Sequence, residues 1–295
     1  MHDRGRKPST VSGYRSIVGS ELLPRFGSMA LESVTPAAIE AWLASMTQAP
    51  STRTKALVLM HGIFQRARKV WALPANPVAD VEKPPVTRSG DLQVFSPEEV
   101  WALFRAAGSE LDAALFLTAA FTGLRMGELL ALHWRDVDFT GSALRVRASY
   151  YAGHLTTPKS GKVHAVPLAP ADVATVLAQL GRREHWTGDD DLVFAGETGS
   201  YLDGSALRRR YKTALTVAGL RPLRFHDLRH TFGTRMIARA DIRRVQEWMG
   251  HSDIQTTMRY LHYAPREEDA RLVAEAFAVA ELADEATPAH DSPRS

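Results

Sequence analysis

The sequence predicts a mainly α-helical chain of two domains with one small antiparallel β-sheet. Three observations predict this fold class. The chain has 295 residues, enough for about two domains of ordinary size. Helical periodicity runs through most of its length, whereas residues 143–168 have extended character. A proline-rich break separates a front helical segment from the remainder.

The front segment, residues 1–85, contains two strong helix signatures. The first begins with Thr35 as a predicted N-cap and Pro36 at the first helical position. The second begins at Ser51 and predicts a long helix with one buried stripe. The stripe consists of residues at helical spacing: Leu57, Met60, Phe64, Ala67 and Trp71.

A linker is predicted at residues 86–94, and the second domain at residues 95–270. This domain opens with a capping box of Ser96 and Glu99, and an apolar helix follows. In its β region, the dipeptide Ser160-Gly161 predicts a turn between two extended runs. Residues 271–295 are predicted to form a C-terminal helix and an acidic tail.

Composition excludes several classes of protein. Cysteine is absent, which excludes disulfides, thiolate catalysis and cysteine-rich zinc sites. There is neither a signal peptide nor an apolar run near the ~20 residues that span a bilayer, so we expect a cytoplasmic protein without membrane partners. Residues 1–90 carry twelve Lys or Arg against six Asp or Glu. That imbalance suits contact with a polyanion such as DNA, and a solvated basic face explains it equally well.

The stretch RFHDLRHTF, residues 224–232, crowds ionisable groups beside apolar ones. The first interpretation is a zinc site, because His226 and His230 are four residues apart and Asp227 mimics the glutamate of a metalloprotease helix. Against it, the positive charge of Arg229 would oppose that of the metal. The second interpretation is a phosphate-binding site, because His226 and Arg229 lie three residues apart on one helix face and a guanidinium can hold two phosphate oxygens. An ordinary amphipathic helix with a polar face is the third interpretation.

Two further motifs flank this stretch. In TGLRMGELL, Arg125 and Glu128 lie three apart on a predicted helix. In WMGHSDIQTTMRY, Gly250 is a predicted helix C-cap and Ser252 the N-cap of a short helix that ends at Tyr260. A tyrosine at this position has two interpretations. It could be an aromatic residue at an interface, or a nucleophile, since a phenolic oxygen can form covalent intermediates.

Together these motifs resemble the tyrosine recombinases, or phage integrase family. That family's pattern is an arginine in T-G-L-R-x-x-E, a lysine in a β-hairpin, H-x-x-R-H, G-H, and a tyrosine nine residues beyond the last histidine. All five elements occur here in that order, and the resemblance covers nearly the whole chain. The resemblance implies six catalytic residues, namely Arg125, Lys159, His226, Arg229, His251 and Tyr260. It implies a supporting role for Glu128.

Three residues have weaker assignments under the resemblance. Lys162 is an alternative to Lys159, but it falls on the far side of the predicted turn. Tyr263 is the nearest rival of Tyr260 and lies beyond the family spacing. His230 is expected to support the fold rather than act on the substrate.

The resemblance implies a site-specific DNA recombinase, an integrase that cleaves and rejoins strands through a 3′-phosphotyrosine intermediate. Neither metal, ATP nor another cofactor is expected. Arg125 and Arg229, aided by His251, would hold the non-bridging oxygens of the phosphate. Lys159 would protonate the leaving 5′ oxygen, and His226 would assist proton movement at the tyrosine.

It also implies a clamp around double-stranded DNA, formed by a helical core-site-binding domain at residues 1–85 and the catalytic domain. A homotetramer on two DNA sites is expected, and a directionality factor is a further candidate partner. Residues 267–283 would form a helix that packs either on a neighbouring subunit or on the rest of their own subunit. Because the chain starts almost at the core-binding pattern, we expect an arm-less or truncated integrase. A type IB topoisomerase-like activity and a non-catalytic DNA-binding regulator are the alternatives.

Overall fold

The computed structural model describes residues 5–82 and 92–261. Most of the predicted linker at 86–94 lies outside these ranges, as do Tyr263 and the predicted C-terminal helix and tail, 271–295. The predicted domain boundaries therefore stay predictions. Within the described ranges, no helix is long and apolar enough to cross a membrane.

The front of the chain is a set of helices packed around one apolar cluster. In chain order these are α1 Pro8–Ile17, a π-helical turn Val18–Leu22, α2 Leu23–Phe26, a 3-10 turn Leu31–Ser33, α3 Pro36–Ser45 and α4 Pro50–Trp71. Thr35 caps α3 as predicted, because its hydroxyl accepts the Ala38 N–H. The prediction for the start of α4 was wrong by one residue, since Ala49 is its N-cap and Pro50 its first residue.

The predicted apolar stripe of α4 is confirmed in four of its five residues. Leu57, Met60, Phe64 and Ala67 are buried against Ile39 and other residues of this cluster. The prediction for Trp71 was wrong, because its side chain is 67% exposed. The helix ends at Trp71, and the next residue has a left-handed backbone, so the chain turns before Leu73 returns to the cluster.

The second half of the chain is helical with two small sheets. Its helices are α5 Pro97–Arg105, α6 Glu110–Thr122, α7 Met126–Leu130, α8 Thr175–Leu180, α9 Gly204–Val217, α10 Phe225–Ile237, α11 Ile242–Trp248 and α12 Ile254–Met258. A 3-10 turn, Trp134–Asp136, and a π-helical turn, Pro170–Ala174, complete the helical elements between residues 92 and 261. The predicted capping box of Ser96 and Glu99 begins α5.

All strand pairings in the described residues are antiparallel. The strands are β1 Val137–Asp138, β2 Ala143–Val146, β3 Ser149–Tyr151, β4 His154–Thr156 and β5 His164–Pro167. One sheet has the order β1-β2-β5, with Leu144 opposite Val166, and β3 and β4 form a separate hairpin.

The predicted turn at Ser160-Gly161 exists, but it does not close a hairpin. Gly161 has φ +74° and its N–H donates to the Pro158 carbonyl at 2.9 Å. The flanking strands do not pair with each other, since β4 pairs with β3 and β5 with β2. The prediction that Lys159 lies in a β-hairpin was therefore wrong, and Lys159 lies in the loop that joins the two sheets.

Helix α10, which carries the crowded stretch, is the central helix of this half. Ten of its thirteen residues are buried, so its polar side chains require internal partners. Phe225, Leu228 and Phe232 belong to the core as predicted. The ring of Phe116 in α6 meets that of Phe225 at 6.3 Å, which packs α10 against α6.

An ion pair joins α6 to α9. Arg210 Nε and Nη2 donate to the two carboxylate oxygens of Asp112 at 2.7 and 3.0 Å. Asp112 is only 2% exposed, whereas part of Arg210 faces water. The carboxylate therefore depends on this guanidinium for compensation of its buried charge.

We expect Arg210→Ala to lower the free energy of unfolding by about 2 kcal/mol, because it leaves the buried carboxylate without its charged donor. Urea denaturation measures the change. Arg209→Ala is the matched control, since Arg209 is exposed on the same helix and should change stability by less than about 0.5 kcal/mol. Equal losses in the two variants would contradict a specific role for the ion pair.

Candidate active site

The end of α6 provides the first fixed point of the site. Gly123 caps this helix with φ +63°, and a Cβ at this position would lie 2.5 Å from Cδ1 of Phe232. Backbone conformation and crowding both require glycine here. The Gly123 carbonyl accepts a hydrogen bond from Arg229 Nη1 at 2.6 Å. The T-G-L-R motif therefore contains Arg125 and also binds Arg229.

Arg229 lies between the carboxyl ends of two helices. Its Nη2 donates to the carbonyl of Met249, the C-cap of α11, at 2.5 Å. Helix carboxyl ends carry partial negative charge, which compensates a cation that is only 3% exposed. Burial, followed by the nearby charge of Arg125, lowers the pKa of Arg229 to about 10. The guanidinium therefore remains charged at neutral pH.

Arg125 is held by Glu128 at the start of α7. Its Nη1 donates to Glu128 Oε1 at 2.7 Å, and its backbone N–H donates to Oε2 at 2.8 Å. Glu128 is 1% exposed, so its carboxylate both caps α7 and orients the guanidinium. Arg125 Nη2 also donates to the Gly250 carbonyl at 3.3 Å. The two arginines thus contact adjacent carbonyls and lie on the same side of the molecule.

Gly250 confirms the predicted helix end. It follows the last turn of α11 with φ +57°, and a Cβ there would lie 2.7 Å from the ring of His164. The prediction that Ser252 caps the next helix was wrong. Asp253 is the N-cap of α12, and its carboxylate accepts the Gln255 N–H at 2.9 Å.

His251 follows directly and faces the arginines as a neutral ring. Its Nδ1 lies 2.8 Å from the Thr257 hydroxyl, which fixes the ring orientation. Burial, followed by the charges of Arg229 and Arg125, lowers the pKa of His251 to about 3. At neutral pH it can donate a hydrogen bond without adding charge.

Tyr260 lies just beyond α12 and packs into the cluster. Its side chain is 1% exposed, and its ring lies so close to α10 that a Cβ on Gly233 would be 2.6 Å from Cζ. It is nearly parallel to the ring of His251, with centroids 6.4 Å apart. Burial raises the pKa of Tyr260, and Arg229 is the largest opposing influence. The hydroxyl is therefore protonated at neutral pH.

The remaining groups of the crowded stretch have different partners. The Asp227 carboxylate accepts the Arg224 N–H at 2.7 Å and an Arg224 guanidinium N–H at 2.9 Å, which secures the start of α10. His226 lies on the exposed side of this turn, with its ring 4.9 Å from that of His230. Burial of part of the ring is the main cause that lowers the pKa of His226, and electrostatic interactions with His230 and Arg229 lower it further. In residues 5–82 and 92–261, no three acidic or histidine side chains gather as a metal site.

Lys159 is not brought into this cluster. Its side chain is exposed in the loop between β4 and β5 and has no hydrogen bond or ion pair with the described part of the chain. The loop is attached at its base, because Lys7 Nζ donates to the carbonyls of Thr157 and Pro158 at 3.0 and 2.9 Å. Lys162 is exposed in the same loop.

Two histidines near the site were not predicted to belong to it. His164 packs against Gly250, and burial lowers its pKa. Both its ring nitrogens are buried without a hydrogen-bond partner among the residues that the structure describes. Period-two alternation with the buried Val166 on β5 was a sequence signal for this inward position. His230, expected only to support the fold, places Nδ1 3.0 Å from the Tyr260 hydroxyl, a contact across thirty residues that no spacing rule indicates.

Residues 93–267 match the sequence profile described as the phage integrase family. A tyrosine recombinase XerC of Chromobacterium violaceum is 30% identical over 268 residues, 87% of this chain and 85% of that protein. A Tn1549 transposon integrase in complex with transposon right-end DNA shares the fold, with a TM-score of 0.76, 20% identity and coverage of 94% and 96%. A lambda integrase tetramer bound to a Holliday junction gives a TM-score of 0.69, 20% identity and coverage of 85% and 74%.

The chain belongs to the phage integrase family, since the profile covers more than half of its length. The predicted fold class is confirmed by the helical architecture, the small antiparallel sheets and the structural matches. The predicted activity, that of a tyrosine-type site-specific DNA recombinase, is confirmed at the level of the family. The roles of the individual site residues stay predictions.

Because the buried histidines are neutral in the folded state, we expect the protein to lose stability in weak acid. The pKa values of His230 and His251 fall from 6.5 in the free side chain to about 4 and about 3. The folded state thus binds fewer protons than the unfolded state, and this contribution to stability is complete only above pH 6.5. We expect the free energy of unfolding to fall by about 2 kcal/mol per ring between about pH 7 and pH 5.

Urea denaturation across this pH range measures the effect. His251→Asn removes one titrating ring, so its unfolding free energy should fall less steeply with decreasing pH than that of the unaltered protein. A free energy that stays constant or rises as the pH decreases would contradict the prediction.

Proposed function

We propose that Arg125, Arg229, His251 and Tyr260 form the strand-cleavage site of a DNA integrase, with Glu128 positioning Arg125. The observation that carries the proposal is the convergence of the two guanidiniums on adjacent carbonyls at the end of α11, beside the buried tyrosine. Two fixed cations and a neutral histidine suit a phosphodiester that gains negative charge during cleavage.

The arginines hold the non-bridging oxygens of the scissile phosphate. A guanidinium has five N–H donors, and Arg229 uses two of its terminal nitrogens on backbone carbonyls, which leaves donors for the phosphate. Because these anchors exist before DNA binds, the cations need little reorganisation during the reaction. Donors of this kind contribute about 3–4 kcal/mol each to the stabilisation of a transition state.

Tyr260 attacks the phosphate, the 5′ oxygen leaves, and a 3′-phosphotyrosine bond conserves the energy needed for rejoining. Lys159 protonates the leaving oxygen. Since it is exposed in the loop between β4 and β5, it reaches the phosphate only when DNA lies against that loop. His226 assists proton movement from the exposed edge of the site. No metal ion or ATP enters this scheme.

Double-stranded DNA is the partner that this chemistry requires. Residues 1–85 act as the helical core-site-binding domain and clamp the duplex together with the catalytic domain, residues 95–270. Arg66, Arg68 and Lys69 form an exposed basic stretch on α4 that suits phosphate contacts. Affinity that depends on such contacts falls steeply as the salt concentration rises.

A homotetramer on two DNA sites is the proposed assembly, supported by the shared fold with a lambda integrase solved as a tetramer on a Holliday junction. A directionality factor is a further proposed partner, and the cytoplasm is the proposed location.

We expect Tyr260→Phe to abolish covalent protein–DNA complexes and to leave DNA affinity within about threefold, because only the nucleophilic oxygen is lost. The measurement is capture, under denaturing conditions, of nicked duplexes with a randomised centre, followed by sequencing of the retained DNA. Tyr151→Phe, which removes a hydroxyl from an exposed tyrosine, is the matched control and should retain activity.

Covalent complexes that persist in the Tyr260→Phe protein would refute the assignment of the nucleophile. A protein that relaxes supercoiled plasmid without any captured site would be a topoisomerase-like enzyme. A protein that binds duplexes but cleaves none of them would be a DNA-binding regulator.

We expect Arg229→Lys to slow cleavage of the captured duplex by about 100-fold or more, because lysine lacks the planar fork that reaches both carbonyls and a phosphate with separate nitrogens. Single-turnover cleavage at saturating protein measures the rate, and thermal unfolding monitors the fold. Arg209→Lys is the matched control on an exposed arginine. Cleavage by Arg229→Lys at a rate close to that of the control would refute the phosphate-binding role of Arg229.

A further inference from the structure

The nucleophile already has a hydrogen-bonded partner inside the protein. Nδ1 of His230 lies 3.0 Å from the hydroxyl oxygen of Tyr260, and both side chains are buried. His230 projects from the middle of α10, and Tyr260 packs against Gly233 one turn further along the same helix. Helix α10 therefore carries the histidine and also packs against the ring of the tyrosine.

Both groups are neutral near pH 7, because burial raises the pKa of Tyr260 and lowers the pKa of His230 to about 4. A neutral hydroxyl and a neutral ring can form this hydrogen bond in either direction, and the ring nitrogen that carries the proton decides which. With the ring proton on Nε2, the Tyr260 hydroxyl donates and Nδ1 accepts.

We propose that His230 is a catalytic residue whose Nδ1 holds the Tyr260 hydroxyl and accepts its proton as the phenolic oxygen attacks the phosphate. This inference rests on the proposed function. The Oη–H bond breaks and an Nδ1–H bond forms, while the Oη–P bond forms and the bond from phosphorus to the 5′ oxygen breaks. The leaving oxygen takes a proton from Lys159, and rejoining reverses each step.

The other histidines of the cluster are placed less well for this step. His251 has its Nδ1 bonded to the Thr257 hydroxyl and approaches the tyrosine ring in a parallel arrangement. His226 meets the ring of His230 at 4.9 Å, and no hydrogen bond joins it to Tyr260 within the described residues. A general base must lie within hydrogen-bonding reach of the proton it removes, which among these rings favours His230.

The surrounding charges suit a base that becomes protonated only when DNA is bound. Burial opposes a positive charge on His230, and so do Arg259, Arg224 and Arg229, which keeps the ring neutral in the absence of DNA. Asp227, on the preceding turn of α10, favours the protonated ring. A bound phosphodiester adds negative charge beside the arginines, so it offsets part of their opposition.

Two substitutions separate proton transfer from positioning. His230→Leu removes the acceptor altogether, whereas His230→Asn keeps an acceptor oxygen near the position of Nδ1 but cannot take the proton. We expect both to slow single-turnover cleavage of the captured duplex by about 100-fold or more, with DNA affinity within about threefold of the unaltered protein. Rates for His230→Asn within about threefold of the unaltered protein would overturn the proton-transfer role.

A second substrate distinguishes this role from that of Lys159. When sulfur replaces the leaving 5′ oxygen, the leaving group is a thiolate that needs no protonation, since thiol pKa values lie near 8.5. This duplex should restore cleavage by Lys159→Ala and leave both His230 variants slow. Restoration of the His230 variants to the rate of the unaltered protein would overturn the proposal.

A measurement without DNA keeps this inference separate from the proposed function. Nitrogen NMR of the ring identifies which nitrogen carries the proton, and Tyr260→Phe should shift the Nδ1 signal of His230. A protonated Nδ1 in the unaltered protein would overturn the proposal, whatever the outcome with DNA. If His230→Leu fails to fold, His230→Asn and this measurement still decide it. An unaltered protein that cleaves no duplex contradicts the proposed function instead.

Discussion

The rest of the site depends on the carbonyl groups that hold Arg229. Gly123 and Met249 lie at the carboxyl ends of α6 and α11, and the partial negative charge there compensates a guanidinium that has lost its water. Arg125 is bound to the neighbouring Gly250 carbonyl, so the same helix end also sets the distance between the two cations. The site is thus assembled by backbone geometry, and the glycines of two short motifs are part of that geometry.

A cationic centre of this kind determines the state of the histidines around it. Burial, together with the arginine charges, lowers the pKa values of His251 and His230, so both rings are neutral where a phosphate would bind. A neutral ring can either donate or accept a hydrogen bond, and the two rings have different neighbours. His251 faces the arginines beside Thr257, and His230 faces the hydroxyl of Tyr260.

Sequence reasoning succeeded where the decisive interaction is local. The N-cap at Thr35, the capping box of α5, the buried stripe of α4 and the helix end at Gly250 each depend on residues within one or two turns. It failed where distant contacts decide. Trp71 has the periodicity of a core residue, yet its helix ends there and no element in residues 5–82 or 92–261 covers it. The turn beside Lys159 exists, but its two flanking strands pair with other strands instead of each other.

The sequence by itself determined the family, the helical architecture and the types of residue required for phosphate chemistry, since these depend on motifs in a set order. Only the tertiary structure decided which groups meet. Asp227 caps its own helix, His164 and His230 join the cluster, and Lys159 stays outside it. The physical reason is that burial and charge compensation act between elements distant in sequence, and a sequence pattern records only local neighbours.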